Sequence, residues 1–262
     1  LVPLSKEIVS SYCGVACVDT QPQAGNNSLP REIQPLIVID HHPPRRISRC
    51  APFHDLRVDY GATATILTEY LIESGLPIPT ALVTALFYGI ASETQDLGRE
   101  AVEADNRAYM ALFPKSNKRI LAQIRNARMP REYFQNMESG LRNSFTYKNV
   151  IGSRLGKISG QEVVPFMADL LIRQERISWA IVQGRSPDNL YVSIRTHNQR
   201  AHAGRLLRRV LGTKGSAGGH GMMAGGFVPI QDMSTEQIKK LEEDIQYNSG
   251  AFFCLSLHLR QL

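Results

Sequence analysis

Residues 36–44 read LIVIDHHPP. Leu36 to Ile39 form an apolar run without polar alternation and rich in β-branched side chains, which suits a strand covered on both faces of a parallel sheet. The run ends in Asp40, His41 and His42, and Pro43 and Pro44 stop the strand because proline cannot donate to a sheet ladder. A second run of the same kind, Gly14 to Val18, ends in Asp19. In open α/β sheets the carboxyl ends of the strands form the ligand crevice, so acids placed directly after two strands point to one site. A carboxylate beside two imidazoles mixes oxygen and nitrogen donors, a set suited to divalent transition metals such as manganese.

Downstream of this segment the periodicity changes to helical. Residues 61–74 place Ile66, Leu67, Tyr70 and Leu71 at helical spacing, with Gly75 as the stop. Residues 79–91, PTALVTALFYGIA, are apolar on most sides and predict a core helix. The polar segment SETQDLGRE follows, then an amphipathic helix over 101–112. Between 116 and 149 the composition turns basic and polar, with helices expected near 117–126 and 131–141, and the segment reads as a helical linker. Alternating stretches at 150–158, 180–185 and 190–195 predict strands. Helices are expected at 162–171 and 201–211, a glycine-rich turn before a short strand at 227–230, and a final helix over 234–247 opened by a Ser234/Gln237 capping box. The expected organisation is therefore a domain over 1–115, a linker over 116–149, a second domain over 150–247 and an unassigned tail over 248–262.

The bulk properties narrow the function classes. A chain of 262 residues that is 43% hydrophobic can bury a substantial core. The formal charge of +6 favours a polyanionic partner, although no basic groove with interleaved aromatics is visible. The four cysteines, Cys13, Cys17, Cys50 and Cys254, fit neither a disulfide framework nor a zinc ribbon, and Cys13 and Cys17 read as buried structural thiols. No apolar run reaches the roughly 20 residues needed to cross a bilayer, and no signal peptide opens the chain, so a cytoplasmic protein without a membrane partner is expected.

Four ordered motifs together resemble the DHH phosphoesterase family, which includes RecJ-like nucleases and oligoribonucleases. They are VDTQPQAGNN at Asp19, IDHH at 39–42, YGIASETQDLGRE around Glu93, and GTKGSAGGHGMMAGGF in the C-terminal part. The last is similar to the glycine-rich GGGH signature of the DHHA1 substrate-binding domain. The resemblance covers most of the chain and implies an α/β fold: a doubly wound, mainly parallel sheet followed by a smaller mixed α/β domain, with substrate in the cleft between them. It also implies a two-metal centre using manganese or magnesium, in which Asp19 bridges the ions and His41 is a ligand. Glu93, in place of the family's aspartate, would be a third ligand, one methylene longer. Asp40 would orient the site and His42 would face the phosphate. In the second domain, Gly218, Gly219 and His220 would cradle the substrate phosphate and Arg195 would clamp it through its bidentate fork.

What the resemblance implies for function is metal-dependent hydrolysis of phosphodiester or phosphomonoester bonds in short oligonucleotides, cyclic dinucleotides or nucleotides. The partner would be a nucleotide or short single-stranded nucleic acid, and a homodimer is compatible with it. Nothing before Asp19 matches the family's first metal-binding motif, so a chain that begins beyond that motif is expected. The alternative reading is a nucleotide-binding or regulatory module with an incomplete metal centre. His54, His202 and His258 read as surface or structural residues, and Asn26 and Asn27 as either site-lining or turn residues.

Overall fold

A computed structural model describes residues 6–24, 26–198 and 200–258, apart from the side chains of Lys6, Ser10, His220 and 247–258. The chain divides into two compact units, Leu1–Ala127 and Arg128–Leu262. The division falls inside the segment read as a linker. Its first helix belongs to unit 1, and its second packs on a strand of unit 2.

Unit 1 opens with the short helix α1 (Lys6–Ser10) and contains three parallel strands, β1 (Ala16–Val18), β2 (Ile37–Asp40) and β3 (Phe53–Leu56). They lie in the order β1-β2-β3, with Cys17 opposite Val38 and Val38 opposite His54. One face of this sheet packs Cys17 and Val38 against Leu29 and Ala51. Of the two thiols expected to be buried, Cys17 is buried, because it points into that cluster, whereas Cys13 precedes the strand and is exposed.

Helices α2 (Thr63–Glu73), α3 (Thr80–Glu93), α4 (Glu103–Leu112) and α5 (Lys118–Arg125) complete unit 1. Their core gathers Val83, Phe87, Ile90, Ala108, Leu112 and Leu121. The Phe87 ring lies 4.6 Å from that of Tyr109 and 5.3 Å from that of Phe113, within the range of favourable aromatic pairs. Asn117 caps α5, its side-chain oxygen accepting from the N–H groups of Arg119 and Ile120.

Unit 2 runs α6 (Arg131–Arg142), β4 (Ser144–Tyr147), β5 (Val150–Lys157), α7 (Val163–Leu171), β6 (Trp179–Arg185), β7 (Asn189–Thr196), α8 (Ala203–Leu211), β8 (Ser216–His220), β9 (Met223–Pro229) and α9 (Thr235–His258). The strand order is β4-β5-β6-β7-β9-β8, with β5 and β6 parallel and the other pairs antiparallel. Side-chain alternation builds two cores on this sheet. Ile151, Leu155, Ala180 and Val182 meet Val163 and Met167 of α7, while Val150, Ile181, Ile194 and Val228 meet Leu207 of α8 and Leu241 and Ile245 of α9. Both units are thus α/β, the first with a parallel sheet and the second with a mixed one.

The glycine-rich segment expected to be a turn is instead a β-hairpin, β8 paired with β9. Glycine is needed where α8 crosses it. A Cβ on Gly204 would lie 2.2 Å from the Gly219 carbonyl oxygen, a backbone atom with no room to yield. The capping box at the start of α9 forms, the Ser234 N–H donating to Gln237 Oε1 at 2.7 Å and the Gln237 N–H to Ser234 Oγ at 3.3 Å. Residues 248–258 continue α9, and 259–262 lie outside the described residues.

Glu242 on α9 carries a testable cost. Burial pushes its carboxyl above the ordinary 4.5, against the pull of Arg185 and Arg154, while Glu243 pushes it further up. An acid raised by folding binds its proton more tightly in the native state, so it opposes folding increasingly as pH rises from the ordinary value to the raised one, and by a constant amount above it. The Glu242→Gln chain is therefore expected to melt higher than wild type at neutral pH, and its advantage should vanish as pH falls toward 4.5. Thermal melts at neutral and acid pH check this, and a variant less stable at neutral pH would show that the Arg185 pair outweighs burial.

Candidate metal centre

The parallel register places the ends of β1 and β2 side by side, Val18 opposite Ile39. The residues that follow, Asp19, Asp40, His41 and His42, bring one ligand atom each to within 4.8 Å of one another. Asp19 turns the chain at φ 58, a left-handed conformation that aspartate tolerates better than most residues. Its N–H still donates to the Ile39 carbonyl, so the turn begins on the sheet.

His41 is held by its backbone and by its ring. Its N–H donates to Thr63 Oγ1 at 3.2 Å, and the same hydroxyl donates to Asp19 Oδ1 at 2.7 Å. Ring Nδ1 lies 3.0 Å from the Tyr60 carbonyl, an acceptor only, so Nδ1 carries the proton and Nε2 presents its lone pair. Nε2 is buried without a hydrogen-bond partner and faces Asp19 Oδ1 at 3.7 Å. An unprotonated, unpartnered imidazole nitrogen beside a carboxylate is costly unless a cation joins them, and the donor set fits a divalent ion.

Asp40 is buried and spends both oxygens on neighbours. Oδ1 accepts from His42 Nδ1 at 2.7 Å and from the His42 N–H at 3.2 Å, and Oδ2 accepts from Gln21 Nε2 at 2.8 Å. Burial by itself raises the Asp40 carboxyl, but the bonds from His42 and Gln21 outweigh it and hold the group below the ordinary carboxylate range. The bond to Asp40 in turn raises the His42 imidazole against burial, helped by the charges of Asp40, Asp19 and Glu93. Asp40 is therefore a holder of His42 in this arrangement. Glu93 ends α3, is exposed, and stands outside the four-residue cluster, although its charge reaches His42.

Gln21 and Thr63 carry roles the sequence does not reveal. Buried at 2% exposure, Gln21 receives the Arg45 N–H at 2.8 Å and the Ser48 hydroxyl at 2.7 Å on Oε1, while its Nε2 also reaches the carbonyls of His42 and Pro43. It ties the segment after β1 to the segment after β2. The hint available was its place two residues after the Asp that ends a strand. Asn27 braces the same loop by donating to Thr20 Oγ1 and the Gln21 carbonyl, so the turn reading describes it.

In unit 2, Arg195 lies on β7 with its fork already engaged. Nε and Nη2 donate to the two oxygens of Asp169, at 2.5 and 3.3 Å, and Nη1 donates to Ser193 Oγ at 2.8 Å. Gly218 and Gly219 lie in the edge strand β8, Gly219 at φ 137, where a Cβ would meet the Met223 carbonyl oxygen at 2.3 Å. His220 ends β8, and its side chain lies outside the described residues.

Residues 147–246 match the model of the DHHA1 domain. Over 242 residues, 90% of its length, the chain is 32% identical to an uncharacterized protein, MJ1633, of Methanocaldococcus jannaschii, and it spans about half (49%) of that relative. Among solved structures it resembles an exopolyphosphatase-related protein from Bacteroides fragilis, with a TM-score of 0.68 at 14% identity, covering 90% of this chain and 72% of that one. It also resembles RecJ in complex with Mn2+ from Thermus thermophilus, with a TM-score of 0.50 at 13% identity, covering 94% of this chain and 46% of that one. At such identities the likeness is one of fold, and it extends over both units. Unit 2 therefore carries the DHHA1 domain match, and the chain as a whole shares its fold with the exopolyphosphatase-related protein and with RecJ.

Proposed function

We propose that the chain takes part in metal-dependent hydrolysis of phosphoester bonds, with short oligonucleotides, cyclic dinucleotides or nucleotides as substrates. The observation that carries this reading is the buried lone pair of His41 Nε2, unpartnered and aimed at the Asp19 carboxylate. His41 and Asp19 would hold a divalent ion, manganese or magnesium, with Glu93 a further ligand if the end of α3 shifts. Such an ion polarises a phosphoryl oxygen and brings a water molecule toward deprotonation near neutral pH. His42, its proton stabilised by Asp40, is a donor for a phosphate oxygen or for the departing alkoxide. Thr63 fixes the Asp19 carboxylate relative to the His41 backbone. Gly218, Gly219 and His220 are proposed substrate contacts in unit 2. Arg195 joins them only if substrate phosphate displaces Asp169.

A nucleotide-binding module that does not turn substrate over is the second reading, favoured by the engagement of Arg195 with Asp169 and by the exposed position of Glu93. A hydrolysis assay with bis(p-nitrophenyl) phosphate and a dinucleotide, with Mn2+, with Mg2+ and with a chelator, separates them. Turnover that requires the metal supports the enzyme. Nucleotide binding that is indifferent to chelator and brings no turnover would replace it with the module.

A further inference from the structure

We infer that Asp105 is a positioning residue for His41, acting through the peptide unit between Tyr60 and Gly61. The carbonyl of that peptide faces His41 Nδ1 at 3.0 Å, and its N–H donates to Asp105 Oδ2 at 2.8 Å. One rigid, conjugated group therefore joins a carboxylate on α4 to the imidazole after β2.

Asp105 is fully buried, and the three groups that donate to it are neutral. Thr65 Oγ1 meets Oδ1 at 2.5 Å, while the N–H groups of Gly61 and Val102 meet Oδ2, the latter at 2.9 Å. The peptide has little freedom to leave this geometry. A Cβ on Gly61 would lie 2.7 Å from Thr94 Cγ2, 2.8 Å from the Glu100 carbonyl oxygen and 3.0 Å from Asp105 Oδ2. A hydrogen bond from the amide N–H to a charged acceptor draws electron density toward the carbonyl oxygen, which strengthens it as an acceptor for the ring. The ring proton is then favoured on Nδ1 and the lone pair on Nε2, where it faces Asp19. An imidazole that binds metal generally has its other N–H oriented by a carboxylate or a carbonyl, and here the two are in series. A cap for α4 would need only the bond to Val102, and a brace for α2 only the bond to Thr65. Neither accounts for the wedged Gly61.

The test compares wild type, Asp105→Asn and Thr65→Val by long-range 15N–1H correlation of the His41 ring in the metal-free chain, at alkaline pH where the ring is neutral. Wild type is expected to show the Nδ1–H tautomer and a downfield Gly61 amide proton. Asp105→Asn is expected to raise the Nε2–H population and to weaken Mn2+ binding about tenfold. Thr65→Val keeps the link to Gly61 and should leave the tautomer unchanged. A wild-type ring in the Nε2–H form overturns the inference without any variant. So does an unchanged tautomer in Asp105→Asn, or an equal shift in Thr65→Val. The link to metal affinity rests on the function proposed above. A wild-type chain that binds no Mn2+ yet shows the Asp105-dependent tautomer would overturn that function and leave the positioning role standing.

Discussion

Replacing His41 with alanine is expected to abolish Mn2+ binding to unit 1 and all metal-dependent hydrolysis. Changing a group that merely orients a ligand costs about 10- to 100-fold in affinity, so removing the ligand itself should exceed the upper figure. The metal-free chain should lose little, on the order of 1–2 kcal/mol, because the Tyr60 carbonyl loses its donor while the His41 N–H keeps Thr63. The contrast gives a clean measurement. At Mn2+ concentrations near 100 times Kd, wild type should gain about 2.7 kcal/mol of stability, visible as a raised Tm, and His41→Ala should gain none. An equal Mn2+-induced shift in both chains would place the ion elsewhere and remove the basis of the proposed chemistry.

The largest expected loss of stability in the metal-free chain comes from Gln21→Leu. Leucine fills much of the same space but returns none of the polar contacts. Asp40 Oδ2 and the Ser48 hydroxyl lose a partner in a buried position, and the Arg45 N–H loses one in a half-buried position. Each unsatisfied group costs about 1–3 kcal/mol, partly relieved by relaxation, and a total of about 3 kcal/mol is expected. Urea unfolding followed by far-UV circular dichroism measures the change. Trp179, the single tryptophan, packs against the core of unit 2, and its fluorescence gives a separate signal from that unit. If Gln21→Leu unfolds at the same urea concentration as wild type by both signals, the network is dispensable and water replaces the amide.

Several of these features are legible in the sequence because a single short-range signal writes them. The runs before Asp19 and Asp40 are apolar and β-branched, and both form parallel strands close to their expected bounds. Long periodic segments give α2, α3 and α4 within two residues at each end. The third strand, Phe53–Leu56, is missed because its four residues, FHDL, carry two polar side chains and no periodicity. Short β4, inside the supposed linker, is missed for another reason: its four residues, SFTY, do alternate, but over too short a span to stand out from the polar sequence around them. The glycine-rich hairpin is misread as a turn because glycine is a poor strand former. Glycine is required there by close packing, Gly204 of α8 lying against the Gly219 carbonyl and Gly219 lying against Met223 and Ala224 of β9.

The site shows the same division. Asp19, Asp40, His41 and His42 are chemically conspicuous and stand at strand ends, so pattern alone suggests their meeting. Gln21 and Asp105 are not conspicuous. One is an ordinary amide in a polar loop, and the other is an ordinary acid in the first turn of an amphipathic helix. Their roles come from contacts 19 and 44 residues away along the chain, to Asp40 and Gly61, which no local pattern encodes. Arg195 illustrates the converse. A strand-ending arginine reads as a free clamp until the fold supplies Asp169.

Adjacent strands in a sheet sit about 4.8 Å apart whatever connects them. Because Val18 and Ile39 are ladder neighbours, the spacing of Asp19 from the residues after β2 is measured out by backbone hydrogen bonds. In the 22–35 connection, Leu29 packs beneath the sheet and Asn27 braces the loop after β1. The exposed part of that connection can therefore be recomposed without changing the inter-ligand distance, provided Asn27 and Leu29 are kept.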